Sequence, residues 1–221
     1  MQSTLVVFGV VFAISAAARA QLVQTSVEPA GDRNWSTTAG RTVGLGNSAV
    51  TAEVGWPGIG FTYLHGVDER TDWGFHVSFN YGLDSTDKSL NGINLAIPYR
   101  HTIGSLSDTS FAFQAQPGVY LYSNDGALFA VGGPIGLVVG FKLDERLTLD
   151  IGADIPVLVT FSNPAGFVFG PQFGGGAEYL LDRNLAVTVR FRIGPNIALE
   201  TGGSNTTTGF SALIGLAYNL R

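Results

Sequence analysis

The sequence predicts an all-β fold: a transmembrane, antiparallel, up-and-down β-barrel, most simply of ten strands, with eight as the alternative count. Three observations predict it. First, the segment from Leu147 to Phe161 alternates: every odd position is apolar, and the even positions hold Thr148, Asp150, Gly152, Asp154, Pro156 and Thr160, with Leu158 as the exception. A β-strand sends successive side chains to opposite faces, so one face is greasy and the other polar. The run is roughly twice the common strand length, and the pattern recurs down the chain. Second, charged residues make up 13% of the 221 and apolar residues 45%, and mean hydropathy is positive. Even so, no apolar run past the N-terminus reaches the roughly 20 residues that a membrane helix needs. Third, the apolar parity of all ten candidate strands carries no Asp, Glu, Lys or Arg. A soluble barrel would instead bury that parity and scatter Lys and Glu over the other.

Taken in order, residues 1–20 read as a secretory signal. Leu5 to Ala18 form an apolar stretch, and Ala18-Arg19-Ala20 is a small-x-small cleavage site before Gln21, although Met1-Gln2-Ser3-Thr4 lacks the usual basic residue. Residues 21–47 are polar, Gly/Thr-rich and without period, which predicts a loose lead-in on the inner side of the membrane. Residues 48–221 hold the barrel. Turn residues divide it into strands at about 48–56, 59–67, 72–82, 90–103, 110–122, 128–143, 147–161, 167–181, 185–199 and 209–220.

The turns alternate in character. Asp68-Glu69-Arg70, Asp144-Glu145-Arg146 and Asp182-Arg183-Asn184 are compact and charged, and all are even-numbered connections. The odd connections, including Asp84 to Ser89, Asn124-Asp125-Gly126, Asn163 to Gly166 and Gly202 to Thr208, are richer in Gly, Ser, Thr and Asn. With both chain ends on the inner side, the compact turns face inward and the polar loops outward.

Parity then assigns faces. In the third strand Trp73, Phe75, Val77, Phe79 and Tyr81 oppose Asp72, Gly74, His76, Ser78 and Asn80. In the ninth, Leu185, Val187, Val189, Phe191 and Ile193 oppose Thr188, Arg190, Arg192 and Asn196. Small residues dominate the second set, as a crowded barrel interior requires, while bulky ones suit a lipid-facing belt. Aromatic residues cluster at both ends of the strands: Trp73, Tyr99, Phe111, Phe141, Tyr179 and Tyr218 at the inner end, Trp56, Tyr81, Phe129, Phe161, Phe167 and Phe210 at the outer. Amphipathic rings favour the headgroup level on both sides of a bilayer.

The signal, the alternating strands and the ending Ile214-Gly215-Leu216-Ala217-Tyr218-Asn219-Leu220-Arg221 resemble those of a small bacterial outer-membrane β-barrel protein, with porin-like relatives. That family commonly ends on an aromatic residue, where this chain has Leu220 and Arg221. The resemblance spans residues 48–221 and implies an outer-membrane location. Its implied partners are outer-membrane lipids, lipopolysaccharide and the barrel-assembly machinery. It is architectural, and such folds host many functions.

Composition excludes some classes. Twelve Lys and Arg against seventeen Asp and Glu give a net charge of −5 without a basic stripe, which argues against nucleic acid. The absence of cysteine excludes a disulfide scaffold and thiolate metal sites. No metal spacing is present, His65 and His101 lie on the apolar parity, and no cofactor is expected.

The polar parity collects eight charges: Glu53, Arg100, Lys142, Asp150, Asp154, Glu178, Arg190 and Arg192. Paired off, they would fill and rigidify the lumen, with Asp150 and Asp154 as partners of Arg190 and Arg192. Unpaired, they would line a path for solute or protons. A bore of eight to ten strands is mostly filled by side chains, so a wide channel is not expected. His76 and Ser78 share the inward face of the third strand, an arrangement similar to the catalytic pair of lipid A deacylase barrels. Residues two apart on a strand lie about 7 Å apart, however, and lumenal lining is the plainer reading. Pro98, Pro117, Pro134, Pro156, Pro171 and Pro195 fall one to a strand in the fourth to ninth strands, where each removes a ladder donor. They either shape the wall or, by analogy with palmitoyl-transferring barrels, loosen it for a hydrophobic ligand. The expectation is therefore a non-enzymatic outer-membrane barrel, structural or passing small solutes slowly. A lipid-modifying enzyme and a hydrophobic-ligand carrier with a lateral opening are the alternatives.

Overall fold

The computed structural model describes residues 35–82, 91–123, 127–161, 165–200 and 203–220. The expected signal segment, residues 21–34 and most of the outer turns lie outside these. The described residues form thirteen strand segments and no helix: β1 (Ser48–Trp56), β2 (Gly58–Gly66), β3 (Thr71–Asn80), β4 (Asn91–Ala96), β5 (Tyr99–Leu106), β6 (Thr109–Ala115), β7 (Gly118–Ser123), β8 (Ala127–Lys142), β9 (Leu147–Thr160), β10 (Gly166–Phe169), β11 (Gln172–Leu180), β12 (Leu185–Glu200) and β13 (Gly203–Asn219).

Pairing reduces the thirteen segments to ten staves. β4 and β5 both pair with β3, β6 and β7 both pair with β8, and β10 and β11 both lie between β9 and β12. Each of these couples is one stave broken at a proline: Pro98, Pro117 or Pro171. The last stave pairs with the first, from Ala49↔Asn219 to Trp56↔Ala212, so the sheet closes and has no free edge. The count is ten, not eight, and the short first hairpin is a full member of the wall, in register from Ser48↔His65 to Val54↔Ile59. One boundary differs from expectation. Residues Gly203 to Thr208 extend the last strand, pairing with Pro195 to Glu200, because the β-branched threonines 206–208 continue the ladder past the expected turn.

The wall is inside out relative to a soluble protein. Its outward positions carry exposed Ile59, Phe75, Phe79, Ile93, Leu121, Ile135, Ile151, Phe173, Phe191 and Leu216, while Glu53, Asp72, Asn94, Arg100, Asp150, Asp154 and Glu178 are buried. The aromatic clusters sit where parity put them. Trp73 and Tyr99 are cross-strand neighbours at one end. At the other, Trp56 meets Tyr81 edge-on at 5.9 Å and Phe129 lies 5.6 Å from Phe161.

The six prolines follow one line across the ladders to within a residue of register, and the line climbs obliquely because barrel strands are tilted. Register places Pro134 opposite Pro156, and extending the flanking pairs places Pro117 beside Gly133 and Pro171 opposite Pro195. Gly74, Ile97 and Gln116 donate to the carbonyls of Pro98, Pro117 and Pro134 at 3.0, 2.8 and 2.9 Å. A proline returns no N–H, so each of these pairs keeps one rung of its possible two. Glycine makes the close approach possible: a Cβ on Gly170 would lie 1.8 Å from the Pro195 carbonyl oxygen, and one on Gly194 2.1 Å from that of Pro171.

Candidate functional site

The inner turns set one rim of the lumen by a shared device. Asp68 accepts the Arg70 N–H at 2.7 Å, Asp144 accepts those of Arg146 and Leu147, and Asp182 those of Asn184 and Leu185. An Asp that caps its own turn tightens it. These backbone donors stabilise the carboxylate form and hold Asp68 and Asp144 below the ordinary carboxylate range.

Residues 35–47 enter the lumen at this rim. The expectation of a loose segment gives way here, because Trp35, Ser36, Ala39, Thr42 and Val43 are buried. Two apolar anchors hold the ends: Trp35 packs with Leu180, Ala186 and Ala217, and Val43 with Ala49 and Leu64. Burying each anchor contributes about 1.5–3 kcal/mol. Leu64 and Leu180 occupy the polar parity, and they were the available sequence signal for this plug: apolar side chains facing inward near one end call for an apolar occupant.

Between the anchors the contacts are polar. Glu178 Oε2 accepts from Ser36 Oγ at 2.9 Å, the Thr37 N–H at 3.1 Å and Thr38 Oγ1 at 3.1 Å. On the opposite wall Asp72 accepts the Val43 N–H at 3.0 Å and pairs with Arg100, which stands directly across the ladder. Arg100 also donates to the carbonyls of Ser36 at 2.7 Å and Ala39 at 3.0 Å, and Thr102 Oγ1 donates to that of Gly40 at 2.7 Å. The plug is thus tied to facing walls by groups that would be costly to bury unpaired. A cavity of about 10 Å³, room for one water, remains between Trp35, Ser36, Ala39 and Thr148.

Above the plug two ion pairs line one side of the lumen. Arg190 grips Glu53 with two prongs, its Nε donating to Oε1 at 2.9 Å, and Arg192 Nε donates to Asp154 at 2.9 Å. Each pair skips a stave, and glycine makes the crossing possible. A Cβ on Gly215 would come within 2.6 Å of Glu53 Cγ, and one on Gly152 would sit 3.2 Å from an Arg192 guanidinium nitrogen.

All eight expected charges fall on inward positions, and none is among the exposed residues. The pairing differs in part from expectation. Asp154 partners Arg192, but Arg190 turns to Glu53 and Arg100 to Asp72, a carboxylate whose inward parity was legible and whose membership of the charge network was not. Asp150 is 3% exposed, and neither of its carboxylate oxygens accepts a hydrogen bond among the described residues. Lys142 lies across from Thr148 near the inner rim.

His76 Nδ1 bonds Thr62 Oγ1 at 2.8 Å across the ladder, not Ser78, and Ser78 is buried within the lumen. The hydroxyl that the His76 ring engages is therefore that of Thr62 and not that of Ser78. His65 and His101, on the outer face, pair with Ser48 and Thr71 at 3.0 Å. No group of three or more His, Cys, Asp or Glu among the described residues is placed to hold a metal. The sequence matches no protein-family model and no curated protein.

Proposed function

We propose that this protein is a non-enzymatic barrel of a bacterial outer membrane that is sealed in its resting state, serving as a structural element and passing small solutes at most slowly. One observation carries the reading: a closed wall with an apolar exterior encloses a polar lumen whose inner end is filled by residues 35–47. An exterior of this kind is soluble only in lipid. The plug, tied to opposite walls, leaves no wide bore. Outer-membrane lipids and lipopolysaccharide are the surroundings such a belt requires, and the assembly machinery of that membrane is the partner that inserts it.

Planar bilayers test the reading. Purified, folded protein should insert without steady conductance, and cell fractionation should recover it with the outer membrane. Long-lived open steps from the unmodified protein would overturn the sealed state.

The line of prolines favours a second reading, carriage of a hydrophobic ligand that enters through the wall. Rungs missing along one line across neighbouring interfaces mark where the ladder is weakest. Bound lipid retained through purification and seen by native mass spectrometry would support it. A cysteine pair bridging the Pro134–Pro156 interface that changes nothing would count against it.

A further inference from the structure

We infer that the outer face of β1 seats one phospholipid of the inner leaflet, its phosphodiester held where Ser48, Tyr63 and His65 meet; the inference rests on the barrel standing in a lipid bilayer. Hydrogen-bonding side chains are spread unevenly over the inner half of the outer face. Ser48, Tyr63, His65, Thr71, Trp73 and His101 all stand on the first four staves. On β8, β9, β11, β12 and β13 the same zone carries, besides apolar side chains, only Tyr179 and Tyr218. Polar groups are costly against lipid unless their protons find acceptors.

Three of the six form one chain. Ser48 Oγ lies 2.9 Å from the Tyr63 hydroxyl and 3.0 Å from His65 Nδ1, and these side chains make no other hydrogen bond among the described residues. Counted with the ring neutral, the chain has three protons for two hydrogen bonds. One donor is left over whichever way the chain runs. It is His65 Nε2 if the protons pass from Tyr63 toward the ring, and the Tyr63 hydroxyl if they pass the other way. The Thr71–His101 pair, 3.0 Å apart, differs, because the Asp68 carboxylate beside both supplies an acceptor from the protein itself.

A groove leads away from the spare donor toward mid-wall. Beyond Ser48 the outward side chains of β1 are short, and register sets each between two bulkier ones. Val50 lies between Tyr63 and Tyr218, Ala52 between Phe61 and Leu216, and Val54 between Ile59 and Ile214. The two ridges stand on strands roughly 9–10 Å apart, wide enough for an extended acyl chain lying along the strand. Ala52 is exposed in the middle of the trough, so no other part of the chain fills it.

Donor and groove together define the occupant. An unspent donor calls for an acceptor, and a phosphodiester offers oxygens that accept and carry no proton. An apolar trough that starts at that donor calls for hydrocarbon. A phospholipid supplies both in this order, with its phosphodiester at the rim and its acyl chain along the wall, and it is the substance that surrounds the barrel. Trp73, half exposed and directly across the ladder from His65, adds an indole N–H beside the seat.

The test is native mass spectrometry of the full chain, delipidated in detergent and then given dioleoyl-phosphatidylglycerol, dioleoyl-phosphatidylcholine or dioleoylglycerol. Heat-modified gel mobility checks folding. The protein should retain one copy of either phospholipid under collisional activation that strips dioleoylglycerol, which has the same chains and no phosphate. Ser48→Ala with Tyr63→Phe and His65→Phe removes the whole chain of donors and gives these outward positions the apolar character of the rest of the wall. Retention should fall at least tenfold. Ala52→Phe fills the trough and leaves the donors in place, and it should lower retention likewise, whereas Ala153→Phe, the same change on the outer face of β9, should not. Dioleoylglycerol held as firmly as the phospholipids overturns the inference and leaves the barrel in its membrane. So does retention unchanged in the triple variant, or, where that variant does not fold, retention unchanged in Ala52→Phe. Folded wild-type protein that fails to enter phosphatidylcholine vesicles would instead defeat the membrane reading itself.

Discussion

Arg190 and Glu53 form a two-pronged ion pair across the seam where the last stave meets the first, and Gly215 on the stave between them is the gap through which they meet. The pair joins the β12 wall to β1, so it braces the closure of the barrel. A seam is where a closed sheet is most exposed to fraying, and a charge-assisted fork gives it geometric definition as well as energy. The predictions below start from that contact and move outward.

Glu53→Ala should destabilise the barrel by about 2–4 kcal/mol, since it leaves an arginine inside the lumen without its carboxylate. The Arg190 side chain keeps part of its accessibility, so the lower part of that range applies. Glu53→Leu combined with Arg190→Met should recover most of the loss. Urea unfolding in lipid vesicles, followed by tryptophan fluorescence, measures both. A double variant no better than the single would remove the pair as a coupled unit.

Gly215→Val should cost more than a typical wall substitution, about 1–3 kcal/mol from overpacking plus the disturbed ion pair, because its Cβ meets Glu53 Cγ and the Ala52 carbonyl within 2.6 Å. Gly203→Val is the control. Nothing lies within 4 Å of a Cβ there, and it should unfold with the wild type. Equal effects at the two glycines would refute the steric account.

The acid limb of stability should depend on the inner turns. Backbone N–H donors depress the carboxyl pKa of Asp68 and Asp144 in the folded state. The sign follows: the contribution is fully present above the unfolded carboxyl pKa and is lost as pH falls through the lowered folded value. Asp68→Asn with Asp144→Asn should flatten the decline in stability between neutral and acidic pH. An unchanged slope would show that other carboxylates carry it.

Tryptophan environments should separate the plug from the belt. With Trp56→Phe and Trp73→Phe, the remaining Trp35, 2% exposed, should resist both aqueous acrylamide and brominated lipid. Trp73 retained alone, half exposed on the outer face, should be quenched by brominated lipid. A Trp73 quenched by acrylamide alone would argue against a lipid-facing belt.

His76→Ala with Ser78→Ala should leave lipid A unchanged by mass spectrometry, because the His76 ring is engaged by Thr62 instead of Ser78. A lost acyl-chain product in the double variant would reinstate the enzymatic alternative.

The sequence by itself determined the fold and the faces. Period-two alternation over strands as long as Leu147–Phe161 predicts a β wall with two unlike faces, and the absence of charge on one parity says which face turns outward. The inward position of Asp150, Asp154, Arg190 and Arg192 followed from counting alone. The partners did not. A side chain on a strand can reach a neighbour one or two staves away, and which one depends on where glycine opens the way, as Gly215 does for Glu53 and Gly152 for Arg192. Parity cannot see across staves.

The alignment of the prolines and the fate of residues 35–47 were likewise decided only by tertiary structure. Six prolines spread through the sequence fall along one line across the wall because register aligns them. A polar, aperiodic segment reads as loose until a closed wall supplies facing groups, here Glu178 on one side and Asp72 with Arg100 on the other, to satisfy its backbone. Local pattern sets which way a side chain points; closure of the barrel sets what it meets.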